Sequence, residues 1–204
     1  MLVVSVKRGT DPDTARAALS DGREFSFSLF YLPLPCRGEV FFFSGRELSA
    51  GEEEALRFAA LCFRVERAAL RLTARAEQTC FGISRKLERR GYTPALVRVV
   101  VARLTEMGII NDERYARLWL ESRLGRTVRG PLALLYGLRG RGIDRETARA
   151  ALKSILDFEQ ESVLLKRYLE KNHAADKKDT ALKRRLRSEG FSAPVIQAFW
   201  EDGL

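Results

Sequence analysis

Two hydrophobic periods divide the chain. Through residues 1–48 the apolar positions follow a strand period: Phe25, Phe27, Leu29 and Tyr31 alternate with Ser26, Ser28, Phe30 and Leu32. Alternation of this kind marks half-buried strands. Leu2–Lys7 predicts a further strand, and Val40-Phe41-Phe42-Phe43 is a short apolar run closed by Ser44-Gly45. Asp21-Gly22, set between Ala17-Ala18-Leu19 and the Phe25 run, is a strong hairpin signal. Pro33-Leu34-Pro35 interrupts the pattern and predicts a loop. Residues 1–50 are therefore expected to form a small antiparallel sheet of three or four strands. A sheet of that size is marginal alone, so it is expected to pack on helices or on a partner.

From Gly51 the period becomes helical. Glu52-Glu53-Glu54 places negative charge at a helix start, and a stripe from Ala55, Leu56 and Ala59 to Leu72 carries the helix to about Thr73. Thr79 is positioned to cap the next helix, with Phe81, Ile83 and Leu87. The helix after Pro94 is apolar almost all round and is expected to be the most buried of the set. Asn111-Asp112 reads as another cap, with Tyr115, Ala116, Trp119 and Leu120 facing inward. Gly125–Gly130 reads as a basic, glycine-flanked loop, Pro131 starts a helix, and Asn172–Asp179 is a polar loop.

One short joint is written three times: Leu87 to Thr93, Leu138 to Asp144 and Leu186 to Ser192. Each has a leucine, a glycine four residues on, a large apolar residue, then Thr, Asp or Ser. Glycine can take the left-handed conformation that closes a helix, and the hydroxyl or carboxylate can accept from the first N–H groups of the next. Gly91, Gly142 and Gly190 lie 51 and 48 residues apart. A repeat of about fifty residues predicts a mainly α architecture, nine helices in three tandem three-helix repeats forming an elongated curved solenoid, preceded by the β segment. The expected boundaries are 1–50, 51–109, 110–156 and 157–204.

Charge sharpens this picture. The net charge is +9, but residues 1–50 balance six Lys/Arg with six Asp/Glu, whereas residues 51–150 carry twenty against twelve. Within 51–150 the basic residues are arginine except for Lys86, which suits phosphate or carboxylate partners. The candidate surface is Arg85, Lys86, Arg89 and Arg90 at one helix end, then Arg123, Arg126, Arg129, Arg139, Arg141 and Arg145. Lys183, Arg184, Arg185 and Arg187 repeat the theme. Cations also complement helix C-termini, so each residue has a purely structural reading as well. Few aromatics are interleaved with these arginines in sequence, which disfavours base stacking on single strands.

Catalytic chemistry finds little support. The lone histidine, His173, lies in a polar loop and reads as a plain surface residue. Gly137, Gly140 and Gly142 end a helix rather than follow a strand, so a dinucleotide site fails, and no phosphate-binding loop motif occurs. A helix cap accounts for Asp112-Glu113 better than metal ligation does. Cys36, Cys62 and Cys80 lack paired spacing and fit buried thiols in a reducing compartment. No apolar run approaches a membrane span and the N-terminus does not read as a secretory signal, so the expectation is a soluble cytoplasmic protein without cofactor, metal or small-molecule substrate.

A family resemblance rests on particular residues. Leu87-x-x-Arg90-Gly91-Tyr92 is followed by Leu104-x-x-Met107-Gly108-Ile109-Ile110-Asn111-Asp112-Glu113-Arg114-Tyr115-Ala116, then Trp119 and Arg123. Gly130-Pro131, Leu134, Leu138 and Arg141-Gly142-Ile143-Asp144 continue it. The pattern resembles the RecX family of bacterial recombination regulators over residues 65–155, and more loosely over 156–204. The resemblance implies three three-helix repeats, no enzymatic activity and binding to the RecA recombinase. It implies a body lying in the groove of the RecA–DNA filament, hindering its extension, ATP hydrolysis, strand exchange and repressor cleavage, and direct contact with DNA. In place of an expected glutamine- or lysine-rich segment stands Tyr136-Gly137-Leu138-Arg139-Gly140-Arg141. Two added glycines cost about 1 kcal/mol each in helix propensity, which predicts a frayed or remodelled helix end. Two other functions stay open: a nucleic-acid-binding helical repeat acting without RecA, and a scaffold for an unrelated acidic protein.

Overall fold

The computed structural model describes residues 1–37, 44–126, 128–174 and 179–201. Two compact units divide it: Met1–Ala76 with Ile83–Ile110, and Glu77–Gly82 with Asn111–Leu204. The chain is mainly α, with helical repeats preceded by a small antiparallel sheet; among the described residues it forms nine α-helices and three strands.

In the first unit, β1 (Val3–Arg8), β2 (Thr14–Leu19) and β3 (Glu24–Ser28) pair antiparallel in sequence order. Asp21-Gly22 makes the expected turn, with Gly22 at φ +83° and the Leu19 N–H donating to Arg23 O at 2.9 Å. The strand pattern that runs on to Leu32 in sequence breaks after Ser28. There the Ser28 hydroxyl accepts from the Phe30 N–H at 3.3 Å and coils Leu29–Tyr31 into a 3-10 turn. The Val40–Phe43 run lies outside the described residues.

The sheet packs through β3 on α1 (Ala50–Thr73), which supplies the apolar partner a small sheet needs. A capping box starts α1: Ser49 accepts from the Glu52 N–H, and the Glu52 carboxylate accepts from the Ser49 N–H. Beyond it come α2 (Cys80–Glu88), which from Ile83 onward belongs to this unit and has Ile83 and Leu87 fully buried, and α3 (Pro94–Glu106). α3 buries Leu96, Val97, Val100, Val101 and Leu104 but exposes Arg98, Val99 and Ala102. It is amphipathic rather than apolar all round, and α7 buries a larger share of its residues.

In the second unit, α4 (Asp112–Arg126), α5 (Pro131–Arg139) and α6 (Arg145–Ile155) enclose Ala116, Leu120, Leu134, Leu138, Ile143 and Ala148. α7 (Phe158–Lys171), α8 (Thr180–Ser188) and α9 (Ala193–Glu201) enclose a second cluster including Leu165, Leu169, Leu186, Val195 and Phe199. Leu124 and Leu156 pack against both clusters and join them. Backbone contact reinforces the join, because the Leu132 N–H at the start of α5 donates to Glu189 O at 2.9 Å. A Cβ on Gly130 would come within 2.6 Å of that oxygen. α4 runs on through Gly125 to Arg126, further than the glycine-flanked loop suggested, because Arg167 donates to Leu124 O at 2.8 Å and satisfies a terminal carbonyl.

The three joints share one hydrogen-bond scheme. Tyr92, Ile143 and Phe191 donate their N–H to Leu87, Leu138 and Leu186 carbonyls, while Gly91, Gly142 and Gly190 donate to Glu88, Arg139 and Arg187. The glycines sit at φ +87°, +83° and +88°. This is the Schellman helix stop. The following caps differ. Asp144 accepts from the N–H groups of Glu146 and Thr147, whereas Thr93 makes no such bond. The same stop ends α3 at Gly108 and, with histidine in place of glycine, α7 at His173 (φ +51°).

Candidate functional site

The fold separates the candidate cations by what each guanidinium or ammonium touches. In the first unit, Arg85 and Lys86 lie in the last turn of α2 and Arg89 and Arg90 in the stop that follows; all four are exposed. In the second unit, Arg126 ends α4 and Arg129 lies in the segment before α5, both exposed. Arg139 ends α5 and Arg145 starts α6. Together with Arg149, Leu135 and Tyr136 they line a depression of about 350 Å³. Tyr136 is 65% exposed there, an aromatic ring in solvent among three arginines.

Two of the candidates serve the fold as well. Arg141 is half-buried, donates from Nη1 to Gly137 O at 2.7 Å and lies 4.7 Å from the Trp119 ring centre. Arg123 approaches the same indole at 5.3 Å. The indole rests on Gly137, where an added Cβ would sit 2.4 Å from the ring. That explains the glycine in this helix: α5 stays regular to Arg139, without the frayed end its composition predicted, because Trp119 needs the space.

Further along the second unit, Lys183 lies 5.6 Å from the Trp200 ring, and Arg185 donates to Asn172 Oδ1 at 2.8 Å beside Tyr168. Arg184 and Arg187 are exposed. Among the described residues no carboxylate pairs with Arg89, Arg90, Arg126, Arg129, Arg139, Arg145, Arg184 or Arg187. Not singled out in sequence were Arg57, Arg64, Arg67 and Arg71, all exposed on α1. The spacing of seven between Arg57, Arg64 and Arg71 was the available signal, hidden because α1 reads first as a core helix.

Several polar residues build the frame around these surfaces. Asn111 Oδ1 caps α4 by accepting from the Arg114 N–H at 2.8 Å. Asp112 instead accepts from the Cys80 N–H at 2.8 Å, serving the start of α2, so both residues of the Asn-Asp pair are used as caps. Thr79 Oγ1 accepts from the Gly82 N–H and donates to Arg141 O, each at 2.9 Å, which ties that cap to the Gly142 joint. In the first unit Glu66 is buried and Arg103 half-buried, with Arg103 Nε and Glu66 Oε2 3.9 Å apart, and the Arg103 guanidinium stacks 3.6 Å from the Phe30 ring. Burial, then the Glu66 carboxylate, raises the Tyr31 hydroxyl well above its ordinary pKa. Burial likewise pushes the Cys62 thiol up to about 12, an inert thiol rather than a nucleophile. Hydrogen bonds from Thr147, by side chain and backbone, hold the Asp144 carboxyl below its usual range.

No helix among the described residues is long and apolar enough to cross a membrane, and no group of three or more His, Cys, Asp or Glu there could hold a metal ion.

Comparison with known proteins follows the same residues. Residues 111–152, which hold α4, α5 and most of α6, match the family model of the second three-helix domain of RecX. The regulatory protein RecX of Treponema pallidum is 31% identical over 143 residues, covering 70% of this chain and 87% of that protein. A crystal structure of a regulatory protein RecX superposes with a TM-score of 0.71 at 19% identity, covering 96% of this chain and 97% of that one. RecX from Lactobacillus salivarius superposes with a TM-score of 0.57 at 20% identity, over 70% of this chain and 96% of that one. By sequence and by fold, this chain belongs to the RecX family.

Proposed function

We propose that the chain is a regulatory protein that binds the RecA–DNA filament and restrains its extension, ATP hydrolysis, strand exchange and coprotease action. Its part is to dock rather than to catalyse, and it would act in the cytoplasm. One observation carries this reading: among the described residues, eight exposed arginines, most of them at helix ends and joints, lack an internal carboxylate on a chain of the RecX family. Uncompensated guanidiniums favour an anionic partner, and arginine suits carboxylate and phosphate alike. Arg89 and Arg90 in the first unit, and Arg126, Arg129, Arg139, Arg145, Arg184 and Arg187 in the second, are the residues assigned to that contact. Arg85 and Lys86 in the first unit, and Arg123, Arg141, Lys183 and Arg185 in the second, complete the set.

The test is ATP hydrolysis by RecA on single-stranded DNA with the purified protein added. Substoichiometric amounts should lower the rate, and Arg126→Glu with Arg129→Glu should weaken the effect while circular dichroism stays unchanged. An unaltered rate at equal stoichiometry overturns the reading.

A further inference from the structure

The outward face of α1 carries a row of cations that belongs to none of the joints. Arg57, Arg64 and Arg71 are spaced by seven residues, about two helical turns each, so the row runs roughly 20 Å along the helix. Arg67 stands between the last two. All four line an open groove of about 630 Å³ within the first unit, bordered by β3 and closed by Tyr92. Three half-buried rings, Phe25, Phe63 and Tyr92, line the same groove. The rings come from positions far apart in sequence, which is why their gathering beside these arginines is invisible in the linear chain.

The charge in the groove is largely unanswered. Arg57 pairs with Glu53 at 2.9 Å, and the one carboxylate lining the groove, Glu24, is taken by Arg16 at 3.7 Å. Among the described residues Arg64, Arg67 and Arg71 have no carboxylate partner. Arg67 approaches only the Phe63 ring, at 6.0 Å. A row of guanidiniums alone would suit any polyanion. Guanidiniums and flat rings lining one groove fit a narrower class, because the strand backbone follows the cations while unpaired bases stack on the rings. A duplex keeps its base faces inside and leaves the rings unused. An acidic peptide answers the charge but offers no planar faces.

We propose that this groove binds single-stranded nucleic acid, with phosphates on Arg64, Arg67 and Arg71 and bases stacked on Phe63 and Tyr92. The proposal goes beyond filament binding and requires no second protein.

Fluorescence anisotropy of the full chain with labelled dT20 and rU20 tests it, RecA being absent. The expected result is binding that weakens steeply with salt, and at least a ten-fold loss of affinity in Arg64→Glu with Arg71→Glu. The slope of log affinity against log salt should fall by about 1.4 in that variant, roughly 0.7 for each phosphate no longer neutralised. Phe63→Leu, which keeps an apolar side chain at the position, should cost several-fold while leaving the salt slope unchanged. The two probes separate DNA from RNA, and either one binding in this way supports the groove. Equal affinity of the double charge-reversal variant and the wild type overturns the proposal. So does a duplex of the same length bound as tightly and lost to the same substitutions, or polyglutamate displacing the strand at matched charge.

Discussion

The joint at Gly91 and the joint at Gly142 are the same turn put to two uses. Both glycines have nearly equal φ, and both turns close with the same pair of backbone hydrogen bonds. A Cβ on Gly91 would meet nothing within 4 Å, and the arginines beside it point into solvent. Gly142 is built over: a Cβ there would lie 2.2 Å from Phe81 Cβ, Thr79 donates to Arg141 O, and Arg141 turns back to Gly137 O. One joint is a stop whose surface stays available; the other is a stop that the surrounding helices use as a packing site. A motif repeated in sequence therefore fixes the backbone alike at each copy but does not fix what the copy is for.

Substitution at the two glycines should separate those uses most strongly. Gly91→Val places a β-branched residue in the left-handed region at a cost of about 1–2 kcal/mol. Gly142→Val bears the same torsional cost and also meets Phe81. The clash is with Phe81 Cβ and Cγ, which lie close to the backbone and cannot swing aside, so overpacking adds about 1–3 kcal/mol. Urea denaturation of both variants measures the gap. Equal losses would mean that Phe81 does not pack on the second joint.

A smaller effect is expected at Gly137, one turn before the same joint. Gly137→Ala gains about 1 kcal/mol of helix propensity. It also pushes the Trp119 indole off the helix, at about 1–3 kcal/mol for an overfilled contact. The ring's far edge is what collides, so part of that strain can relax, and a net loss of about 1 kcal/mol is expected. Tryptophan emission should shift as the ring leaves Arg123 and Arg141. A net stabilisation with unchanged emission would place the indole elsewhere.

The sequence made the joints legible because a left-handed helix stop favours glycine, a buried leucine four residues earlier and an apolar residue after it, all local preferences. Helices α1 to α9 and the Asp21-Gly22 hairpin were readable for the same reason. The end of β3 was not, because Ser28 diverts the chain through a hydroxyl-to-backbone bond while the apolar alternation continues to Leu32. Nor was the reason for Gly137, which lies in a tertiary contact with Trp119 and looks in sequence like a flaw in the helix. The α1 groove needed the fold most of all. Phe25, Phe63 and Tyr92 share a wall only after the sheet, α1 and the Gly91 joint have packed.

His173 offers the mildest test of how much each stop depends on glycine. In sequence it reads as an ordinary surface residue, and it is exposed, but its backbone takes the position that Gly91 and Gly142 occupy. Ala174 donates to Leu169 O at 3.0 Å and His173 to Glu170 O at 3.1 Å, so the stop forms despite the side chain. Left-handed backbone costs an L-residue about 1–2 kcal/mol, and glycine gives back part of that gain through its freer unfolded chain. His173→Gly should therefore stabilise the protein by about 0.5–1 kcal/mol, a rise in melting temperature of roughly 1–4 °C for a chain of this size. Gly91→His should lower it by a similar amount, since nothing lies within 4 Å of the added Cβ and only the torsion changes. If His173→Gly leaves the melting temperature where it was while Gly91→His lowers it, the end of α7 does not need this turn. The resemblance between the two stops would then be one of shape alone, without a shared energetic role.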